Sequence, residues 1–414
     1  ALNFAYIVGQ ESAGGYAGSI EPGDVASVAE DTKILEGLVT VSSLASILES
    51  FIPVIEVSKT TAIPCGGCVW ADGFTTTADD GTVIRARGMA GGYTGHNVGG
   101  RIEGSAEKEA AAYRIRTVYG GEYAGGFTGF MEAGNVADTG SLSVLFGLIE
   151  VNSPAAVLQA VYPTETNTAV YGPLRGLTVQ EWNDWVAFVG SDKSYGDKIQ
   201  QIVQDAPVEG MDSDALLAEY IDTYAYGYDV TAGRTQPGSM RTEGGAAGGY
   251  AGRMEGGVVT DALAMDVRSV AALRSAGGFA GEMLTANVAN LGNIGIGELD
   301  VINNLGLLST FVPAVNGGTA VGWQSGVRIT ANGVKAQDSP AVGYAGGYVG
   351  HMVGGQIGVA QDSGENDIQN LRRVDGTYYV GGFAGLIESG GALSLNTDEA
   401  GLLDKILNHL IDSE

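Results

Sequence analysis

The sequence is short of cysteine, proline, histidine and positive charge. Its 414 residues include 2 cysteines, 10 prolines, 3 histidines and 21 lysines plus arginines. Two cysteines cannot form a disulfide framework, and they supply at best half of a four-cysteine zinc site. So few prolines, without a Gly-x-y period, exclude a collagen-like chain. Against 48 acidic residues the 21 basic ones leave a net charge of −27. That excess repels phosphate backbones and anionic headgroups, so nucleic acid and membrane surfaces are poor partners. No run of 18 or more apolar residues occurs, so no membrane-spanning helix is expected. Ala1 opens the chain without a charged segment followed by an apolar one, so a leader peptide is expected to be removed or absent.

What the chain has in excess is glycine, 67 residues, more than twice the ordinary share of ~7%. With 44% hydrophobic residues the chain has ample material for a core and is not expected to be disordered. The glycines are organised. One motif, Gly-Gly-aromatic-small-Gly, occurs seven times, with its aromatic at Tyr16, Tyr93, Phe127, Tyr250, Phe279, Tyr348 and Phe383. Four residues after the aromatic stand Ile20, Asn97, Met131, Met254, Met283, Met352 and Ile387. Seven residues after it comes another glycine in every copy but one, where Ala286 replaces it. Nine residues after it stand Val25, Ile102, Val136, Val259, Val288 and Ile357, with Ala392 in the last copy.

This pattern predicts strand, turn and strand. With a side-chain period of two, the aromatic, the third glycine and the Met/Ile share one face, and the glycine leaves bare backbone for a neighbouring ring. The other face carries Ser19, His96, Arg253 and Glu282 and is expected to be wet. The glycine at the seventh offset supplies the turn, and the β-branched residue after it opens the next strand. Stacked units of this kind predict a mainly β fold, a β-solenoid of the parallel β-helix type.

Long and short units alternate. After Tyr16, Phe127, Phe279 and Phe383 come apolar stretches at helical spacing: Leu44-Ile47-Leu48-Phe51-Ile52, Val157-Leu158-Val161-Tyr162, Leu308-Phe311-Val312 and Leu402-Leu403-Ile406-Leu407-Leu410-Ile411. Pro53, Pro163 and Pro313 follow the first three, where proline would stop a helix. These stretches predict helical excursions packed on the solenoid wall. Residues 175–226 have no counterpart elsewhere. There Thr178-Val179-Gln180-Glu181 reads as a capping box, with Trp182 and Trp185 on the face that follows. The chain thus divides into solenoid units over 1–174, a small acidic helical insert over 175–226, and solenoid units again over 227–414. Trp182 and Trp185 are expected to form the core of the insert; the sharper alternative makes them a ligand-binding surface. Neither end carries a polar cap, so the chain is expected to be a piece of a longer one or to be completed by neighbouring subunits.

Chemistry is sparse. No HExxH, GxSxG, Walker or GxGxxG motif stands in the context that would make it functional. His96 and His351 occupy the same motif offset in units far apart, which suits surface polarity better than a shared metal. Cys65 and Cys68 lie in Pro64-Cys65-Gly66-Gly67-Cys68 between strand-like flanks. A local disulfide closing a turn leads, free thiols follow, and a redox pair comes third because it would sit at a helix N-terminus. Asp79-Asp80-Gly81 and Asp362-Ser363-Gly364-Glu365 are acidic turns without a calcium-loop pattern. No cofactor is therefore expected, calcium being the one that these turns leave open. No carboxylate pair is singled out for glycan hydrolysis.

The segment Gly91-Gly92-Tyr93-Thr94-Gly95-His96-Asn97-Val98-Gly99-Gly100-Arg101-Ile102 resembles the GLUG repeat of large bacterial surface proteins, and Gly346-Gly347-Tyr348-Val349-Gly350 and Gly381-Gly382-Phe383-Ala384-Gly385 carry the same core. The resemblance implies a secreted or wall-bound protein whose repeats form stalks or adhesive regions. The long helical stretches and the insert depart from such arrays, and no sorting motif is visible. The expectation is a non-catalytic, extracellular structural or adhesive segment at the cell surface. Its partners would be other copies of itself, further modules of a longer chain, or a host protein or glycan. One alternative is a filament subunit joined head to tail; another is a polysaccharide-active enzyme.

Overall fold

The computed structural model describes residues 3–22, 52–63, 66–78, 81–133, 162–173, 227–233, 245–285, 312–323, 326–333, 342–358 and 364–390. Among these residues every regular element is a strand. Two sheets of seven strands hold the repeated motif. The first runs in the order Ser12–Gly14, Met89–Gly91, Tyr123–Gly125, Ala246–Gly248, Ser275–Gly277, Tyr344–Gly346 and Tyr379–Gly381. The second holds the strands that follow each aromatic: Ala17–Ile20, Thr94–Val98, Thr128–Glu132, Ala251–Glu255, Ala280–Leu284, Val349–Val353 and Ala384–Glu388. In both, strands pair in parallel with each motif directly over the next, as in Gly91↔Gly125, Met131↔Met254 and Met352↔Ile387.

The third and largest sheet has sixteen strands. Its main path of nine runs Asn3–Phe4, Lys59–Ala62, Ala110–Tyr113, Thr164–Tyr171 and Val258–Ala272, then returns through Tyr228–Ala232, Ile115–Gly120, Gly67–Ala71 and Tyr6–Gly9. The path begins and ends on strands separated in the chain only by Ala5, so the sheet comes back upon itself as a nearly closed, barrel-like wall. Val258–Ala272 makes the return. Its first half pairs with Thr164–Tyr171 and its second half with Tyr228–Ala232. The strand turns one corner within its first half, at Asp261 (φ 50°), and another between the halves, at Asp266 (φ 71°). Asn167 (φ 48°) and Gly317 (φ 77°) lie opposite Asp261 in the flanking strands and turn the same corner. Asn, Asp and Gly are the residues that tolerate this left-handed region. An antiparallel pair, Phe74–Thr77 with Val83–Ala86, stands apart.

This corrects the expectation of a mainly β solenoid with helical excursions. The described residues are all β, and the corner residues bend one long strand so that two faces become a single sheet curling toward a barrel. Most of the apolar stretches at 44–52, 157–162 and 308–312, all of the stretch at 402–411 and the whole of the 175–226 insert lie outside the described residues, as do Trp182 and Trp185. Pro53, Pro163 and Pro313 stand immediately before strands, at Val54–Glu56, Thr164–Tyr171 and Ala314–Gly322. In these units the strand that follows the turn starts after the proline. Val25, Val136 and Val288 lie outside the described residues.

The motif glycines are explained by backbone approach. A Cβ on Gly125 would sit 1.9 Å from the Thr128 carbonyl oxygen, because the chain bends sharply between the two motif sheets. The second glycine, Gly126, faces the Gly249 carbonyl of the next unit at 1.9 Å, and the third, Gly129, faces the Gly95 carbonyl of the previous one at 2.5 Å. The expected role of the third glycine, a bare surface for a ring, is thus corrected: its neighbour is backbone.

Candidate functional site

The rings stack on one another. Tyr16, Tyr93, Phe127, Tyr250, Phe279, Tyr348 and Phe383 form one unbroken column, with successive centroids 4.9, 4.6, 5.1, 4.8, 5.0 and 4.8 Å apart and planes within 10° of parallel. The five inner rings are fully buried, whereas Tyr16 is 47% and Phe383 42% exposed. Each pair contributes about 0.5–1.5 kcal/mol beyond the area it buries. Alongside runs the column Ile20, Asn97, Met131, Met254, Met283, Met352 and Ile387. A single apolar cluster extends from Ala13 to Met352.

One polar group interrupts this core. Glu165 is fully buried at a position held by Ile102 and Val259 in the flanking strands. Asn97, the polar member of the Met/Ile column, donates its amide to Glu165 Oε1 at 3.1 Å. Thr128 Oγ1 donates to the same oxygen at 2.6 Å, and the Tyr250 hydroxyl donates to Oε2 at 2.7 Å. Thr168 shares a hydrogen bond of 2.6 Å with that hydroxyl, and Asn97 Oδ1 accepts the Gly100 amide at 3.0 Å. Burial pushes the Glu165 carboxyl up from the ordinary range, and the bonds from Thr128, Tyr250 and Asn97 offset this only in part. Burial, then the Glu165 charge, pushes the Tyr250 phenol up as well.

This shift has a consequence for stability. Because the folded state binds the Glu165 proton more tightly than the unfolded chain, its contribution is complete below the unfolded value of ~4.3 and is lost as pH rises through the raised folded value. Glu165→Gln removes that titration. The urea midpoint of the native chain, relative to the variant, is expected to fall as pH is raised from about 4; a difference constant with pH would contradict this assignment.

On the side of the motif sheets away from the ring column lies a second network. Arg274 holds Glu282 through two bonds of 2.6 Å, Ser275 donates to it at 2.8 Å, and Arg253 approaches at 3.4 Å. Burial raises the Glu282 carboxyl, but Arg274 and then Arg253 outweigh it, so Glu282 titrates below the ordinary range. Arg253 also bonds Glu255 at 2.8 Å and the Tyr123 hydroxyl at 3.0 Å, and it lies over the Tyr123 and Phe130 rings. The expectation of a wet face here is corrected. Glu282 is almost fully buried beneath Arg274 and Arg253, and Arg253 lies over a small apolar cluster of Met89, Tyr123, Phe130 and Ala246, while Thr128 turns its hydroxyl to Glu165.

His96 pairs with Glu132 at 2.9 Å and stacks on Phe130, while His351 pairs with Glu388 at 2.7 Å. Three strands of the same sheet separate the two histidines. Among the described residues no group of three metal-ligating side chains forms. Cys68 is a free, half-buried thiol in Gly67–Ala71, pushed up by burial despite the opposing charge of Arg116. Cys65 lies outside the described residues, as do Asp79, Asp80, Asp362 and Ser363 from the acidic turns.

Sequence reasoning missed both networks, though each left a signal. Asn97 is the polar exception in its column, and Ile55, Glu165 and Val315 each stand two residues after a proline, so Glu165 is the exception there. Arg253 and Glu282 occupy the same offset with opposite charges in consecutive motifs. The carboxylates of these networks are engaged with partners, and the arrangement holds strands together without presenting an acid and a base to a shared cleft. No family model, curated protein or solved structure matches the chain.

Proposed function

We propose that the chain is a non-catalytic structural segment of a secreted or surface-bound bacterial protein, with repeats of the GLUG kind serving as a stiff spacer or adhesive wall. The observation that carries this reading is the unbroken seven-ring column, in which every unit repeats the same packing. The motif resemblance supports the surface location, and the charge of −27 suits a chain that stays dispersed in solution. The test is a screen of the purified chain against polysaccharides, for binding and for turnover. Binding without cleavage, or neither, is expected; turnover abolished by changing one carboxylate pair would overturn the proposal in favour of an enzyme.

A second reading has its own observation. The end rings Tyr16 and Phe383 are exposed while those between them are buried, and Tyr6, Val8, Tyr379 and Ile387 are exposed beside them. Among the described residues the strands at the Tyr16 and Phe383 ends have no outer partner, and parallel edges bearing the same motif favour head-to-tail contact between copies; a contact that does not close on itself gives filaments. Negative-stain microscopy across a range of concentrations separates the two: discrete particles at every concentration favour a spacer, and fibres that lengthen with concentration favour a filament subunit.

A further inference from the structure

Seven near-identical motifs create a problem of address. Any motif strand finds a similar partner in several places, and a strand that arrives after a long connection has the widest choice. Thr164–Tyr171 is such a strand, because residues 133–163 separate it from the preceding motif strand, Thr128–Glu132. It also carries Glu165 at a position where the neighbouring strands carry Ile102 and Val259.

We propose that the buried Asn97–Glu165 pair is a registration key that fixes which unit Thr164–Tyr171 joins. Glu165 touches three consecutive units at once: Asn97 from the Tyr93 unit, Thr128 from the Phe127 unit and Tyr250 from the next. Its neighbours supply complementary donors only at this place. The residues equivalent to Asn97 in the other units are Ile20, Met131, Met254, Met283, Met352 and Ile387, none of which donates a hydrogen bond. The residues equivalent to Thr128 beyond the Tyr93 unit are Ala251, Ala280, Val349 and Ala384. In a slot shifted by one unit or more, the carboxyl would be buried without its amide donor, and Asn97 would be buried without its acceptor. A buried polar group without a partner is strongly disfavoured. A single polar position in an otherwise apolar seam is a known way to specify register, as in coiled coils. Two departures from repeat patterns, distant in the chain, thus meet in space and satisfy each other.

The test separates register from stability. In a background with Cys65 and Cys68 replaced by serine, cysteines are placed at Thr164 and Val258, which face each other across adjacent strands and are both partly exposed. After unfolding in urea and refolding, a short bifunctional maleimide reports the native neighbour relation. The parent chain and Glu165→Gln, which keeps the shape and the same partners with the Tyr250 bond reversed (the new amide donates to the hydroxyl, which donates to Thr168), are expected to refold into one species that cross-links in high yield. Asn97→Met together with Glu165→Val fills both positions with the residues of neighbouring units. This double variant is expected to refold with a urea midpoint at least equal to that of the parent, but with cross-linking yield at least halved and several compact species present. A double variant that refolds to one fully cross-linked species would overturn the proposal. So would failure of the double variant to refold while Glu165→Gln does, because the pair would then supply stability alone.

Discussion

Tyr250→Ala is expected to lower the unfolding free energy by about 3–5 kcal/mol, the usual cost of deleting a buried aromatic ring. The ring lies mid-column between Phe127 at 5.1 Å and Phe279 at 4.8 Å and is completely buried. Its hydroxyl is also one of the three donors to Glu165 and the partner of Thr168. Removing the side chain therefore opens a cavity and strips a buried carboxyl of a donor in one step. Tyr250→Phe keeps the ring and deletes the hydroxyl alone, and it is expected to cost about 1–3 kcal/mol. Urea unfolding of both variants measures the two terms. An alanine variant within about 1 kcal/mol of the parent would mean that the column does not hold the units together.

Gly126→Ala is expected to be at least as damaging, beyond about 4 kcal/mol, with loss of the native transition at moderate temperature. The added methyl would lie 1.9 Å from the Gly249 carbonyl oxygen of the next unit and 2.8 Å from the ring and hydroxyl oxygen of Tyr228. The nearest neighbour is backbone of the next unit, so moving a side chain aside does not relieve the clash. Gly382→Ala is the matched control. It is the same motif glycine in the last unit, where a Cβ meets nothing within 4 Å, and it is expected to change stability by less than about 0.5 kcal/mol. Thermal unfolding of the pair tests whether the glycines are required by the stacked neighbour rather than by the motif itself. Equal losses in the two variants would contradict that account.

Much of this arrangement was legible in the sequence. The motif aromatics and the Met/Ile positions stack because the chain repeats them at a constant offset, and a constant offset becomes a column when parallel strands pair without slip. The proline spacing marked where the large sheet resumes, although Pro53, Pro163 and Pro313 announce strands as well as ending what precedes them. The role of the glycines was not legible, because a Gly-Gly-aromatic-small-Gly string does not say whether a ring or a carbonyl will occupy the space that each leaves. The doubling back of the large sheet turns at Asp266, an ordinary-looking acidic residue whose left-handed backbone, like that of Asp261 at the earlier corner, is invisible in composition. The Asn97–Glu165 contact joins residues 68 apart. Neither repeat pattern predicts it alone; only their exceptions, taken together, do.

Among the described residues the motif units form one column in which inner units hold each other and the end units are held on one side only. Stacked repeats of this kind share stability between nearest neighbours, and exchange of backbone amides reads that sharing directly. Hydrogen–deuterium exchange followed by mass spectrometry is therefore the deciding measurement. Segments 123–132, 246–255 and 275–284 are expected to exchange slowest and at a common rate, with 12–20 and 379–388 markedly faster. Motif segments that exchange independently, with no difference between the inner units and those at the ends, would contradict the account.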